Sequence, residues 1–152
     1  MAVYFFDSSA IFKRYITESG TSWVIGITDP ATGNSIYLAA ITGVEVISAF
    51  VRQVPPLLAP DLARVVADFK YDFHNQYQRV AVSDPLLNLA MILAETHGLR
   101  GYDAVQLAAG VELNRLGKTA GLPPLTLVSA DRQLNNAAAT EGLLVEDPTA
   151  HP

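Results

Sequence analysis

The chain has 152 residues, half of them apolar, 16% charged and none of them cysteine. That composition excludes predominant disorder, disulfide stapling, thiolate catalysis and any cysteine-ligated zinc or iron–sulfur centre. Ten Lys and Arg against 15 Asp and Glu leave a net charge of −5, so no global positive field draws in nucleic acid and any such contact must be local.

A chain of this size suits one domain, since folding hides roughly 70% of the unfolded surface and a single core suffices. The domain is expected over residues 1–147, with 148–152 a frayed tail. The opening run AVYFF is too short for a secretory leader and lacks a basic flank. No apolar stretch reaches the about 18 residues needed to span a bilayer. A cytoplasmic protein without a membrane partner is therefore expected.

Residues 2–6 are β-favouring and end at Asp7-Ser8-Ser9, which reads as a strand feeding a helix N-cap. Helical spacing of Ile11, Phe12, Tyr15 and Ile16 predicts a helix up to Gly20, then a short one over 21–27 before Asp29-Pro30. A strand follows at 36–38, and a helix over 40–54 that Pro55-Pro56 closes. Leu62, Val65, Val66 and Phe69 mark an amphipathic helix over 60–77, and Val80 with Val82 a brief strand. Asp84-Pro85 opens a helix to Thr96, and Tyr102-Asp103 opens another that Gly117 closes. LTLV at 125–128 is a strand, Ser129-Ala130-Asp131 turns into a helix to Thr140, and a last strand covers 143–145. Five or so short strands alternating with about seven helices predict an α/β domain, with a parallel sheet covered on both faces.

Four acids stand out by position. Asp7 follows the first strand and Asp131 follows LTLV, and ligand crevices in open parallel sheets lie outside the carboxyl ends of strands. Asp103 opens a helix. Taken singly, each of these three is accounted for more simply as a helix cap or dipole partner. Glu45 shares a narrow polar stripe with Thr42, Ser48 and Arg52 on an otherwise apolar helix, which predicts a largely buried helix. The stripe faces either solvent or a polar cavity. If the four acids converge, their repulsion favours binding a divalent cation or holding a proton at raised pKa. All-oxygen ligands select Mg²⁺ or Mn²⁺ over Zn²⁺, and such a centre suits phosphodiester hydrolysis.

The segments FFDSSAIFKRYITESG, ITGVEVISAF, LRGYDAVQLAAGVEL and LTLVSADRQLNNAA resemble, in that order, the four motifs of PIN-domain ribonucleases. They look most like the VapC-type toxins of bacterial toxin–antitoxin pairs. Successive acids stand 38, 58 and 28 residues apart, and the match runs over residues 4–145. The resemblance implies a PIN-like three-layer domain with strand order 3-2-1-4-5, frequent homodimers, an antitoxin protein as partner, and endonucleolytic cutting of RNA to 5′-phosphate and 3′-hydroxyl ends. It makes Asp7, Glu45, Asp103 and Asp131 the catalytic acids around one or two Mg²⁺ or Mn²⁺ ions. Asp7 and Asp103 would be the principal direct ligands, with Glu45 and Asp131 completing the site directly or through water. Ser9 and Ser129 would orient the carboxylates.

Two positions depart from the family pattern. Arg52 is followed by the uncharged run QVPPLLAP where relatives usually carry basic residues, and Gln106 stands where many have histidine and is assigned no role. Lys13, Arg14, Arg100 and Arg132 are either phosphate contacts and pocket cations or ordinary surface charges. His74, His97 and His151 lack metal spacing and read as solvated. Two other functions stay open: a non-catalytic PIN-like binding module, and a receiver- or phosphatase-like phosphate-handling domain. Against the latter, Asp7 lacks the paired acids of a receiver and Ser9 stands where an aspartyl phosphatase needs its second Asp.

Overall fold

The first strand, β1 (Val3–Phe6), is a run of apolar residues without polar alternation, the pattern of a strand covered on both faces. In the computed structural model, which describes all 152 residues, it is the central strand of a five-stranded parallel sheet ordered β3-β2-β1-β4-β5. Its neighbours are β2 (Ser35–Ala39) and β4 (Leu125–Val128), with β3 (Gln78–Val80) and β5 (Leu144–Glu146) at the edges. The expected order and parallel α/β class are borne out.

Seven α-helices connect the strands: α1 (Ser8–Ile11), α2 (Thr21–Thr28), α3 (Thr42–Val51), α4 (Ala59–Asn75), α5 (Asp84–His97), α6 (Gly101–Thr119) and α7 (Arg132–Thr140). Strand side chains alternate between faces, so adjacent Phe5 and Phe6 serve different cores. Phe5 packs with Leu86, Leu93, Leu107 and Leu134 from α5, α6 and α7. Phe6 packs with Ile11, Val24, Phe50 and Phe69 from α1 to α4. From β1 the chain steps outward to β2 and β3, then crosses back over β1 to reach β4. The strand order therefore reverses between β1 and β4, the place where an open parallel sheet leaves a crevice at its carboxyl ends.

Four local expectations are corrected. The helix expected to run to Gly20 is one turn, α1, followed by a 3₁₀ turn at Phe12–Arg14. At about 120° per residue, that tighter turn separates neighbouring side chains more sharply than an α-helix does, and Lys13 and Arg14 diverge. Helix α6 continues through Gly117, because the left-handed residue that ends it is Gly121, with φ +74°. Helix α3 is not largely buried: it packs on one side only, covering Thr42, Val46 and Phe50, while Val44 and Val51 are more than half exposed.

The fourth correction concerns the C-terminus. Residues Pro148–Ala150, expected to fray, form a 3₁₀ turn with Pro148 buried. His151, expected to be solvated, stacks on Trp23 with ring centroids 4.4 Å apart and pairs with Glu146 at 2.9 Å. His97 likewise pairs with Glu141 at 2.8 Å, tying α5 to the end of α7. No helix is long and apolar enough to cross a membrane.

Gly20 allows the C-terminal turn to dock. Its φ is +91°, and a Cβ there would lie 2.4 Å from the Pro148 carbonyl oxygen. Gly20→Ala is expected to cost about 1–3 kcal/mol of stability, measured by urea unfolding, through left-handed strain and displacement of that turn.

Candidate functional site

Asp7 follows the last residue of β1, and the register setting Phe6 opposite Val128 brings Ser129 beside it. The Asp7 backbone amide donates to the Val128 carbonyl at 3.1 Å, locking that junction. Asp7 Oδ1 accepts from the Ala10 amide at 2.9 Å, capping α1, and from Ser9 Oγ at 2.7 Å. Its Oδ2 accepts from Ser129 Oγ at 2.6 Å. Each serine oxygen is itself held, Ser9 by the Ala130 amide at 3.1 Å and Ser129 by the Asp131 amide at 3.0 Å. The carboxylate is 4% exposed. Burial pushes its pKa up to about 6, outweighing the three hydrogen bonds that favour the ion, and the charge of Asp103 adds to the rise.

Glu45 is half-buried on α3. Its Oε1 accepts from Gln106 Nε2 at 3.0 Å and its Oε2 from Ser8 Oγ at 3.2 Å. Burial raises its pKa, those two hydrogen bonds lower it, and Asp103 raises it again. Asp103, in the first turn of α6, is also raised, by burial and then by Asp131, with exposed Arg100 opposing. Asp131 caps α7, its Oδ1 accepting from the Leu134 amide at 2.9 Å.

Asp7 and Asp131 follow neighbouring strands at the same end of the sheet, and Asp103 stands near enough to raise the pKa of Asp7 and Glu45 and to be raised by Asp131. The convergence is loose. No group of three or more His, Cys, Asp or Glu side chains is close enough together to hold a metal ion. Three neighbouring carboxylates with raised pKa values nonetheless form a donor set that a hard cation would relieve. What fits Mg²⁺ here is the all-oxygen chemistry of the donors, since that ion is commonly held by one or two carboxylates while keeping several waters.

A cleft of about 710 Å³ opens beside Glu45, the one acid of the four that lines it, with Ser8, Ser9, Lys13, Arg52 and Tyr102 among its other walls. The polar stripe of α3 thus faces a cavity rather than open solvent alone. Lys13 lines the cleft, 6% exposed and paired with Glu18 at 2.9 Å. Arg14 does not reach it: its guanidinium donates to Gln76 Oε1 at 2.8 Å and to the Tyr77 hydroxyl at 2.6 Å. Two contributors had no role in the sequence analysis, Ser8 and Gln106. Gln106 lies three residues after Asp103 on the same helix face, a spacing that could have flagged it.

No family model matches the chain. A curated relative, Ribonuclease VapC45 of Mycobacterium tuberculosis (strain CDC 1551 / Oshkosh), is 28% identical over 152 residues, covering all of both chains. Among solved structures, VapBC2 from Rickettsia felis, bound to a DNA fragment from their promoter, superposes with a TM-score of 0.63 at 12% identity, covering 95% of this chain and 98% of that one. A toxin-antitoxin complex from Klebsiella pneumoniae gives 0.59 at 15% identity, covering 97% and 98%. The similarity to VapC proteins carried by the four segments is borne out along the full length, and the fold is the PIN-like one.

In metal-free protein, Asp7 binds its proton more tightly folded than unfolded. Its contribution to stability is therefore full below about pH 4, the ordinary carboxylate range, and is lost as pH rises through about 6. Asp7→Asn is expected to flatten the stability profile in that window. At pH 7 it should raise the melting temperature by about 3–6 °C, equivalent to roughly 1–2 kcal/mol, in scanning calorimetry with EDTA.

Proposed function

We propose that this chain is a metal-dependent endoribonuclease, the toxin of a toxin–antitoxin pair, working as a cytoplasmic homodimer. The observation that carries the proposal is the Asp7 carboxylate, buried at the strand-order reversal within the field of Asp103, while the adjacent Ser8 and Ser9 and the half-buried Glu45 line an open cleft. Burying a charge is costly unless it does something that burial makes possible. The whole-length similarity to a protein named as a ribonuclease supports the substrate class. The toxin-antitoxin complex among the structural neighbours supports an antitoxin as partner.

Asp7 and Asp103 would hold Mg²⁺ or Mn²⁺ directly, with Glu45 and Asp131 engaging it directly or through water. When bound, the ion supplies the Lewis acidity that phosphodiester hydrolysis needs. The protein's own groups do the rest. Ser9 and Ser129 pin both oxygens of Asp7, so its carboxylate keeps one orientation. Glu45, half-buried with raised pKa, accepts a proton or orients a water at the cleft wall. Arg52, exposed on the cleft wall, offers a cation for the phosphates that flank the scissile bond, while the charge of Lys13 is already met by Glu18. With so few cations along the cleft, RNA binding should be weak and steeply salt-dependent.

The strand order 3-2-1-4-5 sets this domain apart from receiver domains, whose order is 2-1-3-4-5. The loose spacing of the acids keeps a non-catalytic binding module as the second reading.

A panel of structured and single-stranded RNAs, incubated with EDTA, Mg²⁺ or Mn²⁺, tests the proposal. Wild type should cut with metal only, and Asp103→Asn should lose at least about 100-fold in rate while staying folded. Cutting in EDTA, or full activity in Asp103→Asn, would sink it. If no RNA is cut and Mn²⁺ leaves the melting temperature unmoved, the binding-module reading takes over.

A further inference from the structure

We infer that Gln106 is a positioning residue for Glu45, an inference that rests on the metal-dependent ribonuclease reading above. Gln106 lies on α6 one turn beyond Asp103 and is 1% exposed. Its Nε2 donates to Thr42 Oγ1 at 2.7 Å and to Glu45 Oε1 at 3.0 Å. Both acceptors belong to α3, one turn apart, so a single amide joins the two helices where Glu45 meets the cleft. From the other side, Ser8 Oγ on α1 donates to Glu45 Oε2 at 3.2 Å. A glutamate side chain is flexible and expensive to order, and here each of its oxygens is held by a different helix.

Folding accounts for the bond to the buried Thr42 hydroxyl, but not for the rest of the amide. Gln106 Oε1 is buried and has no hydrogen-bond partner. An apolar side chain of similar size would fill the space without stranding a carbonyl, and the neighbours Ala104, Leu107 and Ala108 are apolar core. Turning the amide over gives no relief, since Oε1 would then face the Glu45 carboxylate. The donor orientation is set by Glu45, and the unpaired oxygen follows from it. A buried residue kept in a pose that costs stability marks a position held for function. With Nε2 on one oxygen and Ser8 on the other, the free lone pairs of Glu45 keep a constant direction toward the acidic rim.

The test uses Gln106→Leu and, as an independent packing solution, Gln106→Met in the full chain. Three quantities are compared with wild type: the melting temperature in EDTA, the Mn²⁺ concentration that half-shifts it, and kcat and KM for RNA cleavage. Both variants should stay folded and melt within about 5 °C of wild type, since removing a buried unpaired carbonyl offsets part of the loss of the bonds to Thr42 and Glu45. Their kcat should fall about 10–100-fold, with KM changed less than about threefold, and the Mn²⁺ midpoint should rise. Wild-type kcat and Mn²⁺ midpoint in both variants would overturn the inference. So would a loss of activity that only follows loss of folded protein, because that is what a structural role predicts. A wild type that neither cuts RNA nor responds to Mn²⁺ removes the ribonuclease reading itself, an outcome distinct from variants that match an active wild type.

Discussion

The carboxyl end of the sheet is organised around one carboxylate removed from water. Asp7 has three hydrogen-bond donors, and charge-assisted bonds of this kind are worth about 1.5–3 kcal/mol each, yet desolvation still wins and leaves the group hard to ionise. What makes the arrangement possible is the pairing of β1 with β4. With Phe6 opposite Val128, the residues that follow both strands emerge side by side, and Ser129 can close over Asp7. A slip of one residue would move Ser129 about 3.3 Å and reverse its facing, stripping Oδ2 of its donor. Such a slip would also exchange Leu127 and Val128 between the two cores, so hydrophobic packing guards the register on which the polar site depends.

Holding Glu45 is the task of the α1–α4 side. Phe12, Tyr15, Phe50 and Phe69 interlock at centroid distances of 5.4–6.1 Å, largely edge to face, and Phe50 belongs to the same helix as Glu45. Polar anchors sit at the margin of that cluster. Tyr15 donates to Asp72 at 2.7 Å and its hydroxyl meets that of Tyr77, while Arg14 binds Tyr77 and Gln76. Arg14 therefore spends its charge tying the 3₁₀ turn to α4, whereas Lys13, one residue earlier, sits in the cleft wall paired with Glu18. Two adjacent cations acquire different tasks because the turn between α1 and α2 is tight.

Capping and site formation are not competing explanations of the acids. Asp7 caps α1 with Oδ1 while Oδ2 is engaged across the sheet by Ser129. Asp131 caps α7 with Oδ1 and still raises the pKa of Asp103. Helices that start at the carboxyl ends of parallel strands bring both the N-terminal dipole and the cap to the ligand crevice, so one acid serves both purposes.

Local order was legible in the sequence because strand runs, helical periods, proline stops and cap residues act within a few positions of one another. β1, β4, α5 and α7 fall close to where their patterns put them, and the ordered segments around Asp7, Glu45, Asp103 and Asp131 carried the resemblance to the PIN-like fold. Expectations failed where a residue's role is set by something distant. Gly117 does not end α6, α3 is covered on one side only, and the last residues are docked by Gly20, Trp23 and Pro148. The bond from Gln106 to Glu45 spans 61 residues, and that from Ser129 to Asp7 spans 122. By itself the sequence determined which elements form and which acids end them. Only the tertiary structure decided which side chains meet, because desolvation and hydrogen bonding act on neighbours in space, and strand order and register choose those neighbours.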